Sequence, residues 1–252
     1  MRETLFGLIA RRDTESEPDH IAIAHRETSY RVRLKRSARA RRISLRVSQA
    51  SGEVVLSMPE GVSLDRAVAF ARAHGGWIAS RVARLPDRVA LEHGAPVPLR
   101  DVPHRIVHWS RVRGPTRVTH DAAGQAIIAV SGPQEFVAKR VREFLQREAR
   151  ADLTDAVARY TAALGRPARR INLRDTRSRW GSCTARGDLS FSWRLILAPP
   201  MVLDYLAAHE VAHLAEMNHS PRYWAILRDI CPHTDQAEAW LKRHGSGLHR
   251  YA

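Results

Sequence analysis

The string His209-Glu210-Val211-Ala212-His213, with His219 beyond it, constrains this chain more than any other feature. Two imidazoles four positions apart share a helix face, so the segment must be helical for both rings to reach one ion. A helix turns about 100° per residue, which sets the two rings about 40° apart and about 6 Å along the axis. Glu210 falls at the edge of that face, where it contacts a water on the ion and not the ion itself.

His219 needs a different device. In a continuing helix it would lie about 9 Å further on and on the wrong side, so the chain must turn back. Asn218 tolerates the left-handed conformation that ends a helix. Ser220 then caps a new helix with Pro221 at its first position. Three nitrogens and one open position are the catalytic Zn2+ pattern, and Glu210 is placed as general base and acid. The rival third ligands are Glu238 and His233. A purely structural zinc leaves Glu210 without a task. The spacing from His209 to His219 equals that of the metzincins, but those carry Gly where this chain has Glu216, and a methionine turn downstream. No methionine follows Met217, which argues against that group.

A chain of 252 residues with 44% hydrophobic content can bury a real core in one large or two small domains. No apolar run approaches the roughly 20 residues of a membrane span, and Leu5 to Ala10 is too short for a secretory core. The expected location is cytoplasmic, with Cys183 and Cys231 as reduced thiols. The net charge of +15 attracts polyanions, so nucleic acid is one possible partner beside a polypeptide substrate. Lysine occurs only at Lys35, Lys139 and Lys242, however, and such arginine enrichment also follows from a GC-rich genome. Oligomeric state is open.

Along the chain, residues 1–19 form a polar lead-in and 20–132 a β-rich region with a helix near 64–84. Period-two alternation marks strands at Ile21-Ala22-Ile23 and Tyr30 to Leu34. Ile43 to Val47 and Val54 to Leu56 form a hairpin around Ser51-Gly52. The N-terminal region therefore reads as a small antiparallel sheet. Ser63 caps a helix that Gly75-Gly76 breaks in two. Short strands follow at Arg105 to Trp109 and Ala126 to Val130. Residues 133–252 hold a long helix ending at Gly165, strands at Ile171 to Arg174 and Leu189 to Trp193, a helix from Pro199-Pro200 into the histidine motif, and two more helices. No internal repeat is legible. The fold class is α+β.

Arg179-Trp180-Gly181-Ser182-Cys183, Trp193 to Pro200, Leu203-Asp204-Tyr205, the His-Glu-Val-Ala-His string and Met217 to Trp224 resemble the YgjP-like metallopeptidases, relatives of the SprT-like group. Arg41 to Val47, Met58 to Val62 and Trp77-Ile78 are also similar to that family. The likeness covers most of residues 30 to 245 and fits loosely around Pro86 to Pro103. It implies a compact zincin-like domain in which His209, His213 and His219 bind one zinc and Glu210 is the catalytic acid and base. It does not carry over a substrate. Some SprT-like relatives are proteases acting on DNA-bound proteins, which gives the charge an analogy.

Other residues keep two readings. Cys183 is a nucleophile or extra ligand on one, and on the other Trp180 packs and Gly181 makes a tight turn beside the site. Leu189 to Trp193 alternates as an edge strand would, ready to pair with a substrate peptide. Tyr223, Arg179 and Arg194 are candidates for stabilising an oxyanion, and Trp224 and Trp240 for core positions. The favoured function is zinc-dependent peptide hydrolysis. The alternative is a nucleic-acid-associated protein with a regulatory or vestigial zinc domain.

Overall fold

The computed structural model describes residues 17–48, 51–85, 87–110, 113–176 and 178–251, in two compact units that divide after Leu85. Of the polar lead-in, only 17–19 fall within the described residues.

The smaller unit holds β1 (His20–His25), β2 (Thr28–Arg36), β3 (Ser44–Val47) and β4 (Val54–Met58) in the order β1-β2-β4-β3. The β3–β4 hairpin is present, with Ser44 opposite Ser57 and Val47 opposite Val54. The sheet is mixed and not antiparallel throughout, because β4 runs parallel to β2. β4 is the most apolar of these strands, with Val54, Leu56 and Met58 all buried. It therefore takes a central place beside β2, and β3 goes to the edge. Helices α1 (Leu64–Ala73) and α2 (Gly75–Ala83) supply Ala67, Ala71 and Ile78 to the same core. Ser63 caps α1 by accepting the Arg66 N–H at 3.4 Å. A side chain at Gly75 would meet the His25 Cβ at 3.2 Å, so glycine lets this helix start approach β1 closely.

The larger unit begins with β5 (Pro96–Leu99), β6 (Val102–Trp109), β7 (Arg117–His120) and β8 (Ala126–Ser131), in the order β5-β6-β8-β7. Residues 87–132, which the sequence reading groups with the N-terminal strands, thus pack in this unit. The sheet repeats the topology of the first: an antiparallel pair, a parallel pair, an antiparallel pair. Arg26 and Arg100, both at positive φ, occupy the same turn in the two copies. The same sequence offset takes Val32 to Ile106, Val54 to Ile128, Pro59 to Pro133, Ala67 to Val141 and Ala71 to Leu145. These partners are buried in both copies, Pro59 and Pro133 excepted. The structure therefore contains an internal repeat that the sequence conceals. Each copy conserves which positions face a core, and different residues can fill those positions.

After β8 comes α3 (Val137–Leu164), ended by Gly165 at φ 64°, a left-handed cap for which glycine suits. A third sheet holds β9 (Arg170–Arg174), β10 (Gly181–Cys183) and β11 (Asp188–Ser192), ordered β10-β11-β9. The expected edge strand, Leu189 to Trp193, is central: it pairs antiparallel with β10 and parallel with β9, and Trp193 already belongs to a buried 3-10 turn. Alternation reports that the two faces differ. It says nothing about whether the edges are free. The chain ends in α4 (Pro200–Ala212), α5 (Pro221–Ile230) and α6 (Thr234–Leu248). No helix among the described residues is long and apolar enough to cross a membrane.

Candidate metal centre

α4 starts with Pro200 at its first turn, where the missing N–H costs no helix bond. It is buried nearly all round by Val202, Leu203, Tyr205, Leu206, Ala207, Ala208, Val211 and Ala212, as a helix at the centre of a domain must be. His209 and Glu210 lie in its last turn, and His213 is its C-cap. The chain then turns through Leu214 and Ala215, whose N–H groups donate to Val211 and Ala212 at 2.9 and 3.0 Å. Asn218 does not adopt the left-handed conformation expected of it, since positive φ outside glycine occurs only at Arg26, Arg100 and Asp101 among the described residues. Its side chain makes the turn instead, with Oδ1 accepting the Ser220 N–H at 3.0 Å, an Asx turn. Ser220 caps α5 by accepting the Tyr223 N–H at 3.3 Å, and Pro221 follows at the first helical position.

This path brings His209, His213 and His219 together, with one ligand atom of each within 4.8 Å of the others. His209 Nε2 and His219 Nε2 are 3.3 Å apart. The His213 Nδ1 faces the Glu216 carbonyl at 3.1 Å, a contact that places the proton on Nδ1 and leaves Nε2 with its lone pair. Burial pushes the His209 pKa down to about 4, helped by the fields of His213 and His219. Burial also lowers that of His213. Neutral rings are the ligating form. Tyr223, fully buried, stands among them: its ring stacks on His213 at 4.6 Å, and its hydroxyl donates to the His209 carbonyl at 3.0 Å.

Glu210 is 3% exposed. Burial pushes its pKa up to about 8, and the Arg179 charge opposes the shift. Gly181 on β10 lies directly against it: a Cβ there would fall 2.2 Å from Glu210 Oε1. The glycine is what admits the carboxylate.

Residues 41–244 match the model of the YgjP-like metallopeptidase domain. The chain belongs to that family. No curated protein matches it. A solved structure described as the metallopeptidase zymogen of Pyrococcus abyssi abylysin is 18% identical, with 39% of this chain and 97% of that one covered and a TM-score of 0.34.

In this YgjP-like domain the other sequence candidates separate. Glu238 pairs with Lys242 at 2.8 Å, and His233 faces Asp204 and Cys231, so neither rival joins the histidine cluster. Arg194 is tied to Asp175 and to the Tyr251 carbonyl over the Trp193 ring. The Tyr223 hydroxyl is committed to His209. Of the three oxyanion candidates, Arg179 supplies the charge that draws the Glu210 pKa down, and Tyr223 feels the field of Glu210. Burial and the charges of Glu210 and Asp188 push the Cys183 thiol up to about 11, far from a nucleophile's range. Trp180 packs on His249, with ring centroids 4.8 Å apart. Trp224 and Trp240 are half-buried against the core. The sequence reading missed Tyr205, whose hydroxyl lies 3.4 Å from His209 Nδ1. Its position one turn before His209 was the available signal.

Proposed function

We propose that this chain is a zinc-dependent peptidase in which His209, His213 and His219 hold one ion and Glu210 moves the proton. The separation of 3.3 Å between His209 Nε2 and His219 Nε2 carries the reading. Two imidazole nitrogens around a tetrahedral zinc, each at 2.0–2.1 Å, stand about 3.3 Å from one another. The family supports a metallopeptidase, and an all-imidazole donor set suits zinc.

A zinc ion held there supplies Lewis acidity toward a peptide carbonyl and a water. The protein supplies the rest. Glu210 takes one proton from the attacking water, whose oxygen bonds to the carbonyl carbon. It then gives that proton to the nitrogen as the C–N bond breaks. Burial raises its proton affinity, which lets the carboxyl hold the proton between the two steps. Arg179 is the group placed to attract negative charge developing on the carbonyl oxygen. β10 is the terminal strand of its sheet and lies beside Glu210. It offers an extended substrate a strand to pair with, the role that the central position of β11 denies to that strand. The decisive comparison is wild type against Glu210→Gln on a peptide library, with zinc content measured on both. Zinc retained with cleavage reduced at least about 10²-fold is expected. Equal cleavage by the two proteins overturns the assignment.

One observation favours a nucleic-acid-associated form of this activity. The outward face of the first sheet carries Arg31, Arg33 and Lys35 on β2, and Arg46 on β3, at alternate positions. Arg33 and Arg46 flank Val55 in register. Salt-sensitive DNA binding that Arg31→Glu with Arg46→Glu removes would support it, and binding independent of both would not.

A further inference from the structure

A second group of metal-binding side chains lies in the larger unit, apart from the three histidines. Asp204 is on α4, Cys231 is the C-cap of α5 and His233 the N-cap of α6. Their ligand atoms all lie within 4.8 Å of one another. His233 Nε2 is 3.4 Å from Cys231 Sγ and 3.2 Å from Asp204 Oδ2.

One nitrogen therefore faces both a carboxylate oxygen and a thiol sulfur. A ring N–H carries a single hydrogen and serves one of them. A catalytic Cys–His–Asp relay is also ruled out, because it needs the acid on the ring nitrogen that the thiol does not use. A cation among the three atoms satisfies all of them. With Zn–N and Zn–O near 2.1 Å and Zn–S near 2.3 Å, tetrahedral geometry sets N···S at about 3.6 Å and N···O at about 3.4 Å. The carboxylate is also held in place: Arg159 donates to Asp204 Oδ1 at 2.5 Å, and the Tyr160 hydroxyl donates to Oδ2. Supporting bonds of this kind orient a ligand toward its ion.

We propose that Asp204, Cys231 and His233 form a second metal site, for a zinc ion, that ties α4 to the corner between α5 and α6. The mixed O, S and N donors favour zinc over magnesium or calcium. Cys231 is fully buried, but the side chains of Asp204 and His233 are 17% and 30% exposed. The site thus opens to solvent on one side, where water completes the coordination. Uptake displaces the Cys231 thiol proton. The role is structural, because the three ligands lie on α4, at the end of α5 and at the start of α6, and one ion joins all three helices. It bears on the first site through the helices: α4 carries His209, and α5 carries the Tyr223 that bonds to it. The inference stands whether or not the chain is a peptidase.

The test is cobalt titration of the full chain after metal removal. Two equivalents bind, and a thiolate-to-cobalt charge-transfer band accompanies one of them. The three-histidine cluster contains no sulfur, so its failure to bind would leave the band in place. Cys183→Ser keeps the band and the stoichiometry. Cys231→Ser loses the band and one equivalent, and so does the more exposed substitution His233→Ala. The double variant His209→Ala with His213→Ala keeps the band. A wild type that binds cobalt with no sulfur band, or a band that survives Cys231→Ser, overturns the proposal.

Discussion

Replacing Gly181 with alanine adds one methyl group and should remove most of the activity. The new Cβ would lie 2.2 Å from Glu210 Oε1 and 2.8 Å from its Cδ and Cγ. Uncharged contacts are most favourable near 3.5 Å, so the carboxylate or the strand must move by about 1 Å. Glu210 is 3% exposed and cannot swing freely away. Gly181 is not among the glycines of positive φ, so alanine meets no backbone penalty and the whole effect is steric. A misplacement of about 1 Å costs about 10²-fold in rate, or about 2.7 kcal/mol in the barrier. The fall should appear in kcat, with zinc content unchanged, because the three atoms nearest the added methyl all belong to Glu210. Steady-state kinetics on a fluorogenic peptide, with metal analysis and a thermal melt on the same sample, would show it. A variant that melts like wild type, holds its zinc and keeps kcat within about twofold would refute the confinement of Glu210 and its assigned role.

Tyr223→Phe removes the donor to the His209 carbonyl inside a fully buried contact. It should cost about 1 kcal/mol of stability, read by denaturant unfolding, and weaken zinc retention against a chelator. Ser220→Ala removes the N-cap of α5 that follows His219. A loss of about 1 kcal/mol is expected, with a larger effect on zinc affinity than a comparable cap loss at Ser63 in the other unit. Asp121 accepts the Gln125 and Ala123 N–H groups and pairs with Arg105, and these contacts hold its carboxyl below the usual carboxylate range. Its folded pKa is depressed, so its stabilisation is present above the unfolded pKa and is lost as pH falls through the folded one. Urea melts of Asp121→Asn should fall below wild type at neutral pH and converge with it in acid.

Strands β1, β2 and β3 were legible because Ile21, Ile23, Val32, Leu45 and Val47 alternate at the period of a one-sided sheet. The pairing was not. That β4 enters between β2 and β3, parallel to one and antiparallel to the other, depends on which strand has most apolar surface to bury, a competition among whole segments. β10 was missed because Gly181-Ser182-Cys183 is too short to show any period. The repeat was hidden because core positions tolerate exchange of Ala67 for Val141 and Ala71 for Leu145.

At the site, local chemistry did the determining. His209, Glu210 and His213 follow from helix period alone, and Ser220-Pro221 follows from capping preferences, but the choice of His219 over Glu238 and His233 waited on the fold. Only the tertiary structure decided what surrounds the three histidines. It put Gly181 against Glu210, Tyr223 beneath the rings, and Asp204 beside Cys231 and His233. The reason is physical. Neighbours within a helical turn are set by a backbone geometry that every sequence shares, whereas contacts between distant segments are set by how all the buried faces pack at once.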